Sequence, residues 1–206
     1  MRTVSRSILS FMVFAGALGA PVLSAQDSGT PRGLTEVTTP RGGRHGGWAN
    51  IGLGVGSETF DVNGDGIPQA DWLARPTLTL RGGGTVSPEF RLGAEGFLWF
   101  NSEGNVSQTL SALMAVGQFY PGASAPLFIK GGGGFGYNYF GDNYYGYSYA
   151  GDFGFVWNVG AGIEIPVGRQ VKLVPTVDYY RFAFDGRSYP NYDEEVINFG
   201  LAIQFN

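Results

Sequence analysis

The stretch Phe155-Val-Trp-Asn-Val-Gly-Ala-Gly-Ile-Glu-Ile-Pro-Val167 decides the fold. Phe155, Trp157, Val159, Ala161, Ile163 and Ile165 share one phase and are apolar, while Asn158, Gly160, Gly162 and Glu164 share the other. A period of two is the signature of a strand. One face is greasy and the other small or polar, which suits a membrane β-barrel strand with lipid outside and a polar lumen inside. A soluble strand also alternates, but its apolar face is the hidden one.

Seven further runs alternate in the same way. They are Trp48–Gly56, Trp72–Gly83, Phe90–Phe100, Gln108–Tyr120, Leu127–Tyr139, Val171–Phe182 and Val196–Phe205. In Gln108–Tyr120 the pattern is least clean: Leu110, Ala112, Met114 and Val116 are expected outward, although Leu113 and Phe119 occupy the other phase. Eight strands can close into an all-β, antiparallel, up-and-down transmembrane barrel without leaving an edge for lipid to meet. The charges mark the inner face independently, since Arg75, Arg81, Arg91, Glu95, Lys130, Glu164, Lys172 and Asp178 all fall on it. Arg181 is the exception, placed near an outer strand end where a long side chain can reach the headgroups.

Connections alternate in length. Residues 84–89, 121–126 and 166–170 form short Pro- and Gly-bearing turns, whereas 57–71, 101–107, 140–152 and 183–195 are expected to be longer loops. In outer-membrane barrels the short turns are periplasmic and the long loops external.

The first 25 residues read as an export signal. Arg2 and Arg6 precede the apolar core Ile8–Leu18, which is too short to span a bilayer, and Val22-Leu-Ser-Ala25 ends in a small residue suited to cleavage. Residues 26–47, rich in Pro, Gly and Thr, are expected to form a flexible periplasmic lead-in, with the barrel over 48–206. The 206 residues include 35 Gly, 16 Phe, 11 Tyr and no Cys, so disulfides and thiolate metal sites are excluded. After loss of Arg2 and Arg6 from 13 basic residues, 17 acids leave a net charge of −6. Eleven of those acids fall in the four longer connections: Glu58, Asp61, Asp65, Asp71, Glu103, Asp142, Asp152, Asp185, Asp193, Glu194 and Glu195. An acidic outer rim disfavours a nucleic-acid partner.

At Leu127–Tyr139 (LFIKGGGGFGYNY), Trp157–Val167 (WNVGAGIEIPV) and Val196–Phe205 (VINFGLAIQF) the chain resembles the small outer-membrane β-barrel family that includes OmpA, OmpX and OmpW-like proteins. The resemblance covers Trp48–Asn206 and implies a bacterial outer-membrane location, a lipid environment and assembly by the barrel-assembly machinery. Phe205, preceded by the outward Ile203, Leu201 and Phe199, would serve as the C-terminal assembly signal, with the departure that Asn206 follows the aromatic.

Candidate chemistry is sparse. The eight inward charges are expected to pair in a lumen that side chains fill at this strand number, the alternative being a narrow ion path. Asp61, Asn63, Asp65 and Asp71 match the opening of a calcium loop, but the twelfth position is Trp72, so an ordinary Asx/Gly turn is the preferred reading and no cofactor is expected. Gly131–Gly136 contains a dinucleotide-like glycine spacing with no helix to follow it. Tyr144, Tyr145, Tyr147 and Tyr149 continue an aromatic girdle into a loop, where they could contact an extracellular protein or glycan. The sole histidine, His45, lies in the lead-in, which leaves a serine nucleophile without a positioned base and argues against an enzyme. The expectation is therefore a monomeric, non-enzymatic barrel with a structural or surface-interaction role. The alternatives are passive transport or binding of a small, even hydrophobic, molecule, and a soluble lipocalin-like barrel.

Overall fold

A computed structural model of the chain describes residues 44–62, 73–142, 147–148, 151–185 and 191–206. Its regular elements are all strands: β1 (Gly47–Val62), β2 (Leu73–Ser87), β3 (Phe90–Glu103), β4 (Val106–Phe119), β5 (Leu127–Asp142), β6 (Tyr147–Ser148), β7 (Asp152–Ile163), β8 (Ile165–Pro166), β9 (Val171–Phe184) and β10 (Tyr192–Phe205). Apart from the two-residue β6 and β8, each strand pairs antiparallel with the next, and β10 returns to β1. That last pairing, from Ala49↔Phe205 to Val62↔Tyr192, closes an eight-stranded barrel and abolishes the sheet edge.

Apolar side chains cover the outside. Trp157 at 37% exposure and Phe135 at 74% bracket a belt that includes Leu53, Val55, Leu113, Phe155, Phe199 and Leu201. On β10 the outward belt residues run from Ile197 to Phe205, and nine residues at about 3.4 Å rise, tilted by about 40°, span roughly 23 Å, close to the apolar height of a membrane barrel. Beyond it the outward positions turn polar, with Ser57 and Asp61 on β1 and Glu195 and Asp193 on β10. The strands therefore project past the bilayer. With charges inside and the greasy phase outside, the soluble lipocalin alternative is disfavoured.

Three expectations are corrected. Leu110, Ala112, Met114 and Val116 face the lumen, all buried, while Leu113 is 67% and Phe119 48% exposed. β4 carries no charge to mark its phase, and its register with β3 (Glu95↔Met114, Phe97↔Ala112, Trp99↔Leu110) sets it, because directly paired residues share a face. The expected loop at 101–107 is a two-residue hairpin at Gly104-Asn105, in which Gly104 takes φ +59°, a left-handed conformation that suits glycine. Several acids assigned to loops are strand residues: Glu58 and Glu194 point inward, and Asp193 and Glu195 face outward on β10. Arg181 is held by these two outward acids, at 2.6 Å from Asp193 and 3.6 Å from Glu195.

Candidate functional site

The lumen is filled in layers. At mid-height Arg81 and Glu95, cross-strand partners on β2 and β3, form an ion pair at 2.6 Å between Nε and Oε2. Arg81 Nη2 reaches Asp178 Oδ2 at 2.8 Å from across the barrel. Lys130 joins both acids, touching Glu95 Oε2 and lying 3.2 Å from Asp178 Oδ1. Two cations and two carboxylates thus form a neutral ring whose side chains are 0% exposed. Glu95 Oε1 accepts from Tyr180 OH at 2.5 Å and from Asn158 Nδ2 at 3.2 Å, while Thr176 Oγ1 donates to Asp178 Oδ2 at 3.1 Å. Such pairing and hydrogen bonding is what makes a buried charge tolerable.

Glycines create the space for this ring. Gly160 lies between Lys130 on β5 and Asp178 on β9 in the register, and a Cβ there would meet Asp178 Oδ1 at 2.1 Å. At Gly162 a Cβ would meet Phe128 Cζ at 2.5 Å, and at Gly136 it would meet Phe182 Cδ1 at 2.7 Å. The space at the small positions noted in the alternating pattern is therefore occupied by side chains from the next strand or the next but one.

A second cluster closes the short-turn rim around Glu164. Its Oε1 accepts from Arg91 Nη1 at 2.6 Å, Tyr120 OH at 2.7 Å and Gln204 Nε2 at 2.9 Å. Its Oε2 accepts from Lys172 Nζ at 2.7 Å and Arg44 Nε at 3.4 Å. Arg44 precedes β1, yet its guanidinium lies 3.5 Å over the Tyr120 ring and donates to the carbonyl oxygens of Ala123, at 3.1 Å, and Ala125. Arg44, three residues before the start of the first strand, thus clasps the turn between β4 and β5.

Toward the other rim the lumen is aromatic. Phe97 stacks on Tyr180 at 4.1 Å, and the chain of rings continues through Phe182 to Phe184, Tyr192 and Phe60. Trp99 donates from Nε1 to Gly56 O at 3.0 Å. Above the lipid belt, Glu194 accepts from Asn138 Nδ2 at 2.7 Å and Gln108 Nε2 at 3.3 Å. Burial raises its carboxyl above the ordinary range, and the neighbouring Glu58 carboxylate adds to the rise. Glu58, on the part of β1 beyond the belt, is itself pushed up to about 7 by burial.

Of the eight inward charges read from the sequence, Arg81, Glu95, Lys130 and Asp178 meet in the central ring, and Arg91, Glu164 and Lys172 meet at the short-turn rim. Arg75 joins neither: it bonds Asn101 Oδ1 at 2.7 Å and the exposed Glu103 at 3.2 Å near the outer end. Asp61 is the penultimate residue of β1, whereas Asn63, Asp65 and Asp71 lie outside the described residues, as do Tyr144, Tyr145 and Tyr149. Tyr147, in β6, pairs with Asp142 of β5. Among the described residues no group of three or more His, Asp or Glu side chains is placed to hold a metal ion. Phe199, Leu201, Ile203 and Phe205 lie on the lipid face of β10. Tyr180 and Glu194 were legible by continuing the inward phase, whereas Tyr120 lies on the phase of β4 expected outward and nothing in the sequence marks Arg44.

The fold and this lumen can be set against known proteins. A search of curated proteins matched none. Neisserial surface protein A superimposes with a TM-score of 0.53 at 11% identity, covering 77% of this chain and 97% of its own. Ail, the attachment invasion locus protein of Yersinia pestis, gives 0.46 at 14% identity over 77% and 99% of the two chains, and OprG from Pseudomonas aeruginosa gives 0.43 at 13% over 80% and 99%. The outer membrane protein beta-barrel domain family model matches residues 13–205, nearly the whole sequence. The chain therefore belongs to the outer membrane protein beta-barrel domain family, whose members reside in the bacterial outer membrane.

Proposed function

We propose that the protein is a sealed, non-enzymatic barrel that acts as a structural element of the outer membrane and presents its outer end to extracellular partners. The observation that carries this reading is the lumen: a neutral ring of four fully buried charges, a Glu164-centred cluster below it and a stack of aromatic rings above it fill its interior. An eight-stranded barrel has no room for both such packing and a water path. What remains accessible to a partner is the outer rim, where the strands run past the lipid belt and carry acidic residues such as Asp193 and Glu195. Its assembly by the barrel-assembly machinery through Phe205 belongs to the same reading. The test is permeability: proteoliposomes containing the purified barrel, diluted into an isotonic solution of a small sugar, should swell no faster than empty liposomes. Swelling that scales with the amount of barrel would replace the structural reading with passive transport.

A further inference from the structure

The two charged layers differ in balance. In the central ring Arg81 and Lys130 face Glu95 and Asp178, so charge cancels. At the short-turn rim Arg44, Arg91 and Lys172 converge on one carboxylate, Glu164. Three positive side chains around one negative one leave a surplus inside a weakly polarisable barrel, where a small anion is strongly favoured.

The neighbouring wall adds unpaired polar groups. Thr85, Arg91 and Gln118 are consecutive cross-strand partners on β2, β3 and β4. Each carries a buried polar atom with no hydrogen-bond partner: Thr85 Oγ1, Arg91 Nε and Gln118 Nε2. Trp48, whose ring centroid lies 5.6 Å from Arg91 Cζ, adds a fourth, the indole Nε1. Three of the four are N–H groups and the fourth is a hydroxyl able to donate. Buried donors without acceptors are expensive, so a row of them beside surplus positive charge reads as a binding wall. Lys172 retains 21% side-chain exposure, which opens the cluster to the rim.

We propose that the short-turn end of the lumen binds a small inorganic oxyanion at Arg91 Nε and the Trp48 indole Nε1, with Thr85 and Gln118 supplying further donors. Arg91 and Lys172 provide the charge, and the fixed indole and hydroxyl select for an anion with several acceptor oxygens. The inference goes beyond the proposed function, since a sealed barrel needs no such site.

Barrel folded in detergent, with its tryptophan indoles labelled with nitrogen-15, is titrated with inorganic phosphate against sodium chloride at matched ionic strength. The Trp48 indole signal, assigned by its loss in Trp48→Phe, should move saturably with phosphate. The Trp99 indole, already bonded to Gly56 O at 3.0 Å, should stay where it is and serves as the internal control. Thr85→Val removes a hydroxyl that has no partner, so the variant should fold like the parent while its apparent phosphate affinity falls by about tenfold, as expected for one hydrogen bond to a charged group. A Trp48 signal that ignores phosphate, or responds equally to chloride, overturns the proposal. So does a Thr85→Val barrel that titrates like the parent.

Discussion

Gly160 and Asp178 approach so closely across β7 and β9 that a Cβ on the glycine would lie 2.1 Å from the aspartate Oδ1. This contact lets Asp178 and Lys130, on strands either side of β7, form their ion pair over the glycine. Gly160→Ala should therefore push Asp178 away from both Lys130 and Arg81 while leaving all three buried. Loss of a buried partner costs about 3–5 kcal/mol. Urea unfolding of the detergent-folded barrel should show a fall of that order, and a change below about 1 kcal/mol would mean that the ring tolerates the displacement.

Neutrality of the central ring makes a second prediction. Lys130→Met should destabilise strongly, because Glu95 and Asp178 then share Arg81 alone. Adding Glu95→Gln restores the charge balance and should recover a large part of the loss. A double variant as unstable as the sum of the two single ones would show that charge balance is not what the ring provides.

Much of this was legible in the alternation, and the exceptions have physical causes. Charged strands declared their phase, because Arg81, Glu95, Lys130 and Asp178 cannot face lipid. β4 has no such marker, and its apolar phase by itself points to the lipid side. The upper lumen is aromatic, so Leu110 and Met114 are apolar on the inside as well, packed near Phe97 and Trp99. The stretch 101–107 resembles a loop in sequence because polar residues continue the strands beyond the bilayer, where outward positions no longer need to be apolar. Pairing within the lumen, such as Arg81 with Asp178 from the far side of the barrel, depends on curvature that a linear pattern does not carry.

Arg44 offers a third prediction. Its guanidinium bonds Ala123 O and Ala125 O and covers Tyr120, so Arg44→Ala should loosen the β4–β5 turn and lower stability by about 2 kcal/mol. Arg44→Lys should recover less than half, since an ammonium cannot reproduce the planar fork. Faster protease cleavage within 121–126 is the accompanying signature. Equal stability of parent and Arg44→Ala would remove the clasp from the account.

The outer carboxylates make stability depend on pH. Glu58 titrates at about 7 in the folded barrel against an ordinary 4.5, so the folded state holds a proton that the unfolded chain releases between those values. Stability is fully present below about 4.5 and falls as pH rises toward about 7, where the cost is complete. Glu58→Gln should remove the part of that decline due to Glu58, leaving the part due to the raised Glu194 carboxyl, and so gain on the order of 2 kcal/mol over the parent at pH 8 and nothing at pH 4. Unfolding midpoints of the two proteins at both pH values check the sign, and an advantage confined to low pH would reverse it.

The central claim, that side chains seal the lumen, is tested most directly by ionic current across a planar bilayer into which the purified barrel has been inserted. The account predicts a silent membrane at moderate voltages, with current steps only when the ring is opened by combined truncation of Arg81, Glu95, Lys130 and Asp178 to alanine. Discrete steps from the unaltered protein that vanish in Lys130→Ala would contradict it and make the same four residues the lining of an ion path.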